Sequence, residues 1–263
     1  MLRTFFFSLA LLLAGPPVSF IEAQEPGAAP APPPVAGAAL LARAMNLYDN
    51  HQFTTALSAF REAAEKGNVE AMMYVGMMYG SGQGTLTNPK EAMTWFSRAA
   101  DAGDSQAMCN IGILYYQGVG AAKEYDEAER WFRKSAAQGN AQGMYNLGVL
   151  FRDGEGVKLD YQEAMKWFRM AAEKDNAVAM NSLGVMYQKG QGVPVDYERA
   201  MTWLQKAAEN GSSTAMFNMG VSYQRGLGVG MDRAEANKWF ARASAAAYST
   251  PEPVSEKVPS ITP

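Results

Sequence analysis

The side chains that carry most enzyme chemistry are scarce in this 263-residue chain: it has one cysteine, Cys109, and one histidine, His51. A nucleophilic thiol needs a base within hydrogen-bond reach, and His51 lies far upstream of Cys109, so Cys109 reads as a core or groove-lining thiol. One histidine cannot build a multi-histidine metal site, and one cysteine supports neither a thiolate cluster nor an intrachain disulfide. A lone thiol in an exported chain could still pair between molecules. The paired glycines, Gly82/Gly84 through Gly226/Gly228, have no preceding strand and no following lysine, so they are not a phosphate loop or a dinucleotide fingerprint. Glu127 and Glu163 sit near helix starts, where they complement the helix dipole better than they would serve as an acid–base pair. The expectation is a protein that is not an enzyme and holds no cofactor or metal.

The chemistry left is recognition, and the repeats must supply it. All five tryptophans stand 36 residues apart: Trp95, Trp131, Trp167, Trp203 and Trp239. Met72, Met108, Met144, Met180 and Met216 keep the same step, as do Gly76, Gly112, Gly148, Gly184 and Gly220. Such a column predicts stacked supersecondary units, not one globular centre. Five units result, 69–104, 105–140, 141–176, 177–212 and 213–248. In each, helix A follows Asn68, Asp104, Asn140, Asn176 or Ser212, all good N-cap residues. Four of these follow a glycine; Asp175 is the exception. Helix B starts near Asn88, Glu124, Asp160, Asp196 and Asp232. Asp160 with Glu163, and Asp232 with Glu235, have capping-box spacing, which Arg199 breaks in the fourth unit. The apolar stripe of helix B (Ala92, Trp95, Phe96, Ala99, Ala100 and their equivalents) has no cover inside its own unit, so the tryptophan column reads as core between neighbours. The mid-helix glycines imply close approach of the partner helix, since an interior glycine otherwise costs ~1 kcal/mol.

Residues 37–68 read as a shorter N-terminal capping hairpin without the glycine loop. The small residues closing the last helix, Ala241 to Ala247, read as a C-terminal cap. Residues 1–23 have the charged start (Arg3), apolar run and exit of a signal peptide, cleaved after Ala23. Residues 24–36 are a Pro/Ala-rich linker and 249–263 a disordered tail. Export to a bacterial periplasm, or secretion, is the expected destination, with no membrane insertion after cleavage. Lys and Arg total 23 against 26 Asp and Glu, a net charge of −3, which gives no electrostatic pull toward nucleic acid.

The block Asn140–Asp175, NAQGMYNLGVLFRDGEGVKLDYQEAMKWFRMAAEKD, resembles a Sel-one-like repeat, a tetratricopeptide-like module; residues 37–68 are closer to a tetratricopeptide unit. The resemblance implies an all-α, right-handed α-solenoid of stacked helix–turn–helix repeats that acts in protein–protein assembly as an adaptor or scaffold. Some cysteine-rich relatives have been linked to β-lactam binding or hydrolysis, which leaves a cell-wall-fragment binder or hydrolase as the alternative. This chain lacks their disulfide cysteines and has no S-x-x-K nucleophile motif.

In such solenoids helix A lines the concave face. The columns that vary there are candidates for holding a protein or peptide: Met73, Cys109, Tyr145, Asn181 and Phe217; then Tyr74, Asn110, Asn146 and Asn218; then Tyr116, Arg152, Gln188 and Gln224. By resemblance to tetratricopeptide grooves, Asn110, Asn146 and Asn218 would bond a peptide backbone. The alternative is that these amides bridge neighbouring units.

Overall fold

Caps set the helix boundaries. In the computed structural model, which describes residues 36–249 and their side chains from 37 to 247, the side chain of each predicted helix-A cap accepts a hydrogen bond from the N–H three residues on. Asp104 does so from Ala107 at 2.7 Å and Asn140 from Gly143 at 2.8 Å. The predicted signal peptide, residues 24–35 of the linker and residues 250–263 of the tail lie outside the described residues; Ala36, read as linker, and Ser249, read as tail, are instead the ends of the first and last helices.

The described residues form twelve α-helices. A first hairpin, α1 (Ala36–Asp49) and α2 (Phe53–Glu65), precedes five more. These pair α3 (Val69–Ser81) with α4 (Pro89–Asp101), α5 (Ser105–Gln117) with α6 (Tyr125–Ala137), and α7 (Ala141–Asp153) with α8 (Tyr161–Ala172). The last two pair α9 (Ala177–Lys189) with α10 (Tyr197–Glu209), and α11 (Ser213–Arg225) with α12 (Arg233–Ser249). The odd-numbered helices are therefore the A helices. Each packs first on its hairpin partner and then on the preceding unit's B helix, so the fold is the expected α-solenoid. None of the described helices is long and apolar enough to cross a membrane.

Glycines allow this spacing. A Cβ on Gly148 would lie 2.5 Å from the Phe168 ring, and one on Gly112 would lie 2.6 Å from Phe132. The predicted close approach is thus helix A lying on the aromatic ring of helix B. The second loop glycine does the same between units: a Cβ on Gly192 would meet the Tyr161 backbone at 2.9 Å, and its φ of 77° is left-handed. Asp175, standing where four units have glycine, takes the same left-handed turn at φ 59°. Arg199 does not spoil its cap: Asp196 accepts its N–H at 2.8 Å and pairs with its guanidinium at 3.2 Å.

The buried apolar residues form two clusters that meet on α5 and α6, not one centre. Trp131 packs on the cluster of the preceding units, while Phe132 belongs to the following one. Trp131 therefore docks its unit onto the one before. The tryptophan column packs on the core as expected, with Trp95 and Trp239 buried and Trp131, Trp167 and Trp203 half-buried at its edge. Their outer faces are covered by cations. Arg98 lies 4.3 Å from the centre of Trp95, Lys134 3.9 Å from Trp131, Lys206 4.8 Å from Trp203 and Arg242 4.0 Å from Trp239. In the third unit Met170 takes that column, and Arg133 and Lys166 cover Trp167 instead, each at 5.9 Å. Stems of Lys and Arg shield apolar surface while the charge stays in water.

Candidate functional site

Units approach one another more closely along the A row, where α5 touches α7 directly and side-chain bonds join successive A helices. Asn218 donates to Asn181 at 2.8 Å, Gln188 to Ser222 Oγ at 3.0 Å, and Asn146 to the Cys109 sulfur at 3.4 Å. The more closely spaced row is the inner row of a curved stack, so helix A lines the inner side.

These bonds decide part of the amide question. Asn146, Asn181, Asn218 and Gln188 tie neighbouring units together, so the bridging alternative holds for them. Asn110 instead accepts from Gln106 one turn away at 3.1 Å and is half-exposed, and Gln142 donates to Asn146 at 3.2 Å in the same way. The result is a row of paired amides along the inner side.

Two candidates are withdrawn. Met73 is 7% exposed and Cys109 is 0% exposed, because the next A helix lies over that column. A partner cannot reach either. Burial pushes the Cys109 thiol up to about 12, against the lowering effect of its hydrogen bond from Asn146; it is neither a nucleophile nor available for an intermolecular disulfide.

The aromatic candidates are partly spent on the fold. Tyr74 stacks on Phe60, with ring centres 4.6 Å apart, and Tyr145 lies 5.6 Å from Phe168. Tyr116 donates to Glu155 of the next loop at 2.5 Å, and Tyr125 donates to the other oxygen at 3.0 Å. Burial and the adjacent carboxylate raise the Tyr116 phenol above its ordinary range, so it stays a donor. Arg152 is held charged by a bidentate pair with Asp153, at 2.7 and 2.6 Å. Phe217 and Gln224, in the last unit, are exposed.

Sequence reasoning missed the column Met77, Ile113, Val149, Val185 and Val221. Met77 is 41% exposed and the other four are half-exposed. They stand three residues after the amide column and so lie on the same side of helix A. Uniformly apolar residues look like core in a sequence; only their place on the open side distinguishes them. Between the third and fourth units this spine borders a cavity of about 340 Å3 lined by Val185, Arg152, Asn181, Lys189 and Tyr161 among others. Apolar side chains in every unit stand beside amides, of which Asn110 is not used in a bridge between units, and no cluster of metal ligands occurs among the described residues.

A model of the Sel1 repeat matches residues 69–104, 105–140, 141–176, 177–212 and 213–248, the same five units that the tryptophan step defines. A solved Sel1 repeat protein from Oxalobacter formigenes is 35% identical over 78% of this chain and 84% of its own, with a TM-score of 0.73. A protective antigen with an SLR fold, present in uropathogenic Escherichia coli strains, is 30% identical with a TM-score of 0.70; the match covers 80% of this chain but 46% of that one. An immunity protein from Pseudomonas aeruginosa, 17% identical with a TM-score of 0.57 over 80% of this chain and 81% of its own, shares the fold. No curated protein matches this chain.

Proposed function

The chain belongs to the Sel1 repeat family, and from that premise we propose that it is an exported, non-enzymatic adaptor that holds an extended protein segment on the inner side of its solenoid. The observation that carries the reading is the half-exposed spine Met77, Ile113, Val149, Val185 and Val221 beside a row of amides. A buried surface would not need the amides, and a solvated one would not place apolar residues in every unit. Spines of this kind recognise side chains of an extended partner while hydrogen bonds fix its backbone. Export to the periplasm, or secretion, rests on the signal-peptide pattern of residues 1–23.

The test is crosslinking and capture from native envelope, read by mass spectrometry, with the wild-type chain and the double substitution Val185→Lys, Val221→Lys. Long lysine stems keep apolar contact while their charges block the spine. Specific capture by the wild type, lost in the variant with an unchanged melt, is the expected result. Capture unaffected by the variant moves the site elsewhere. Turnover of nitrocefin that survives contaminant controls overturns the non-enzymatic reading.

A further inference from the structure

The last unit presents to solvent a surface that every earlier unit covers. Phe217 is 53% exposed. Its column mate Cys109 is fully buried under Asn146 of the next unit, and Asn181 is bonded to Asn218 of the next unit. Gln224 occupies the column of Gln188, whose amide donates to Ser222 one unit on. Beside Phe217, the Phe240 ring at 5.2 Å and the small residues Ala243 and Ala247 bound an open depression of about 690 Å3. This surface repeats the columns of the unit-to-unit interfaces that hold the solenoid together.

From these observations we infer that this end face is a self-association surface, on which a second copy of the chain docks through the same face about a two-fold axis. Two features select that occupant. No residue lining the depression carries a charge, so two identical faces meet without like-charge repulsion, and a protruding Phe217 ring on each copy finds a hollow floored by alanines on the other. The opposite end does not offer the matching ring: the first unit has Ala59 where the later units have tryptophan. Contact through one identical face about a two-fold axis closes at two.

The experiment measures the mass of the full chain by sedimentation equilibrium from about 1 to 200 µM, the range suited to a small interface. A concentration-dependent dimer is expected, reduced to monomer by Phe217→Asp with an unchanged thermal melt. Ser244, exposed beside the depression, supplies the symmetry arm: Ser244→Glu and Ser244→Lys are each expected to weaken self-association at least tenfold, and an equimolar mixture to restore it as a mixed dimer. A wild-type chain that stays monomeric throughout overturns the inference. So does a dimer insensitive to Phe217→Asp, which then uses another surface. Failure of the Glu and Lys variants to pair overturns the two-fold arrangement. A monomer that dimerises only after residues 250–263 are removed assigns the face to that segment instead.

Discussion

At one end of the solenoid Phe60 is completely buried between α1 and the following unit; at the other, its column mate Phe240 is half-exposed beside an exposed Phe217. The two ends differ because the repeat has two unlike sides. Its forward side carries the tryptophan, and replacing that residue with Ala59 in the first unit leaves no large ring there that needs a predecessor. Its rear side is built by the column Met73, Cys109, Tyr145, Asn181 and Phe217, which would need a small or polar last member to close. Phenylalanine leaves it open. The row of small residues at the end of α12, read from sequence as a cap, lines the depression next to the ring through Ala243 and Ala247.

The largest test of that contrast is a pair of truncations in one column. Phe60→Ala removes a ring that is 0% exposed and is expected to cost ~3–5 kcal/mol. Phe240→Ala removes a half-exposed ring and is expected to cost about half as much or less. Urea denaturation followed by circular dichroism measures both. Equal losses would mean that the C-terminal end is as well covered as the N-terminal one.

Cys109 reports on the interior between them. Its thiol, pushed up to about 12 by burial, is expected to resist alkylation in the native chain at pH 8 and to react once the chain is unfolded. The folded chain holds the proton more tightly than the unfolded one, so its stabilising contribution is complete below pH 9 and is lost as pH rises from there toward 12. Fast labelling of the native chain at pH 8 would show that the α5–α7 contact opens readily, and a melt unchanged between pH 8 and pH 11 would contradict the burial.

A smaller difference is expected in the glutamine column. Gln188 donates to Ser222, which is 0% exposed, and Gln188→Ala is expected to cost ~1 kcal/mol. Gln224→Ala, on the open end, is expected to fall within ~0.5 kcal/mol of the wild type in the dilute monomer. A cost at Gln224 equal to that at Gln188 would place a partner on the end face even at low concentration.

The fold was legible because two signals agreed: tryptophans at one step, and cap residues at the start of each of the five predicted A helices. Both act locally, through N–H groups that need an acceptor and rings that need cover, so they survive in a sequence read alone. The site was less legible. The column of Met73 and Cys109 varies as a binding surface would, but variation there records how each unit meets the next A helix. Asn146 and Asn218 resemble peptide binders in type and place, yet their partners belong to neighbouring units. The spine from Met77 to Val221 was hidden for the opposite reason: apolar constancy looks like core until the curvature shows which side of helix A is open.

The smallest effect lies at the step between the third and fourth units, on the side of the chain nearer the open end. Asp175 has φ 59°, where Gly67, Gly103, Gly139 and Gly211 stand at φ 82° to 91° in the other units. A Cβ at those glycines would meet nothing within 4 Å, so crowding does not distinguish the residues and backbone preference does. An L-residue in this region carries a penalty of ~1–2 kcal/mol, eased for aspartate by its short polar side chain, while glycine brings back part of that gain as unfolded-state entropy. Asp175→Gly is therefore expected to stabilise the chain by ~0.5 kcal/mol and Asp175→Ala to destabilise it by ~1 kcal/mol. Opposite signs for the two substitutions isolate the dihedral angle as the cause. Loss of stability in both would mean that the Asp175 carboxylate contributes an interaction that outweighs its backbone strain.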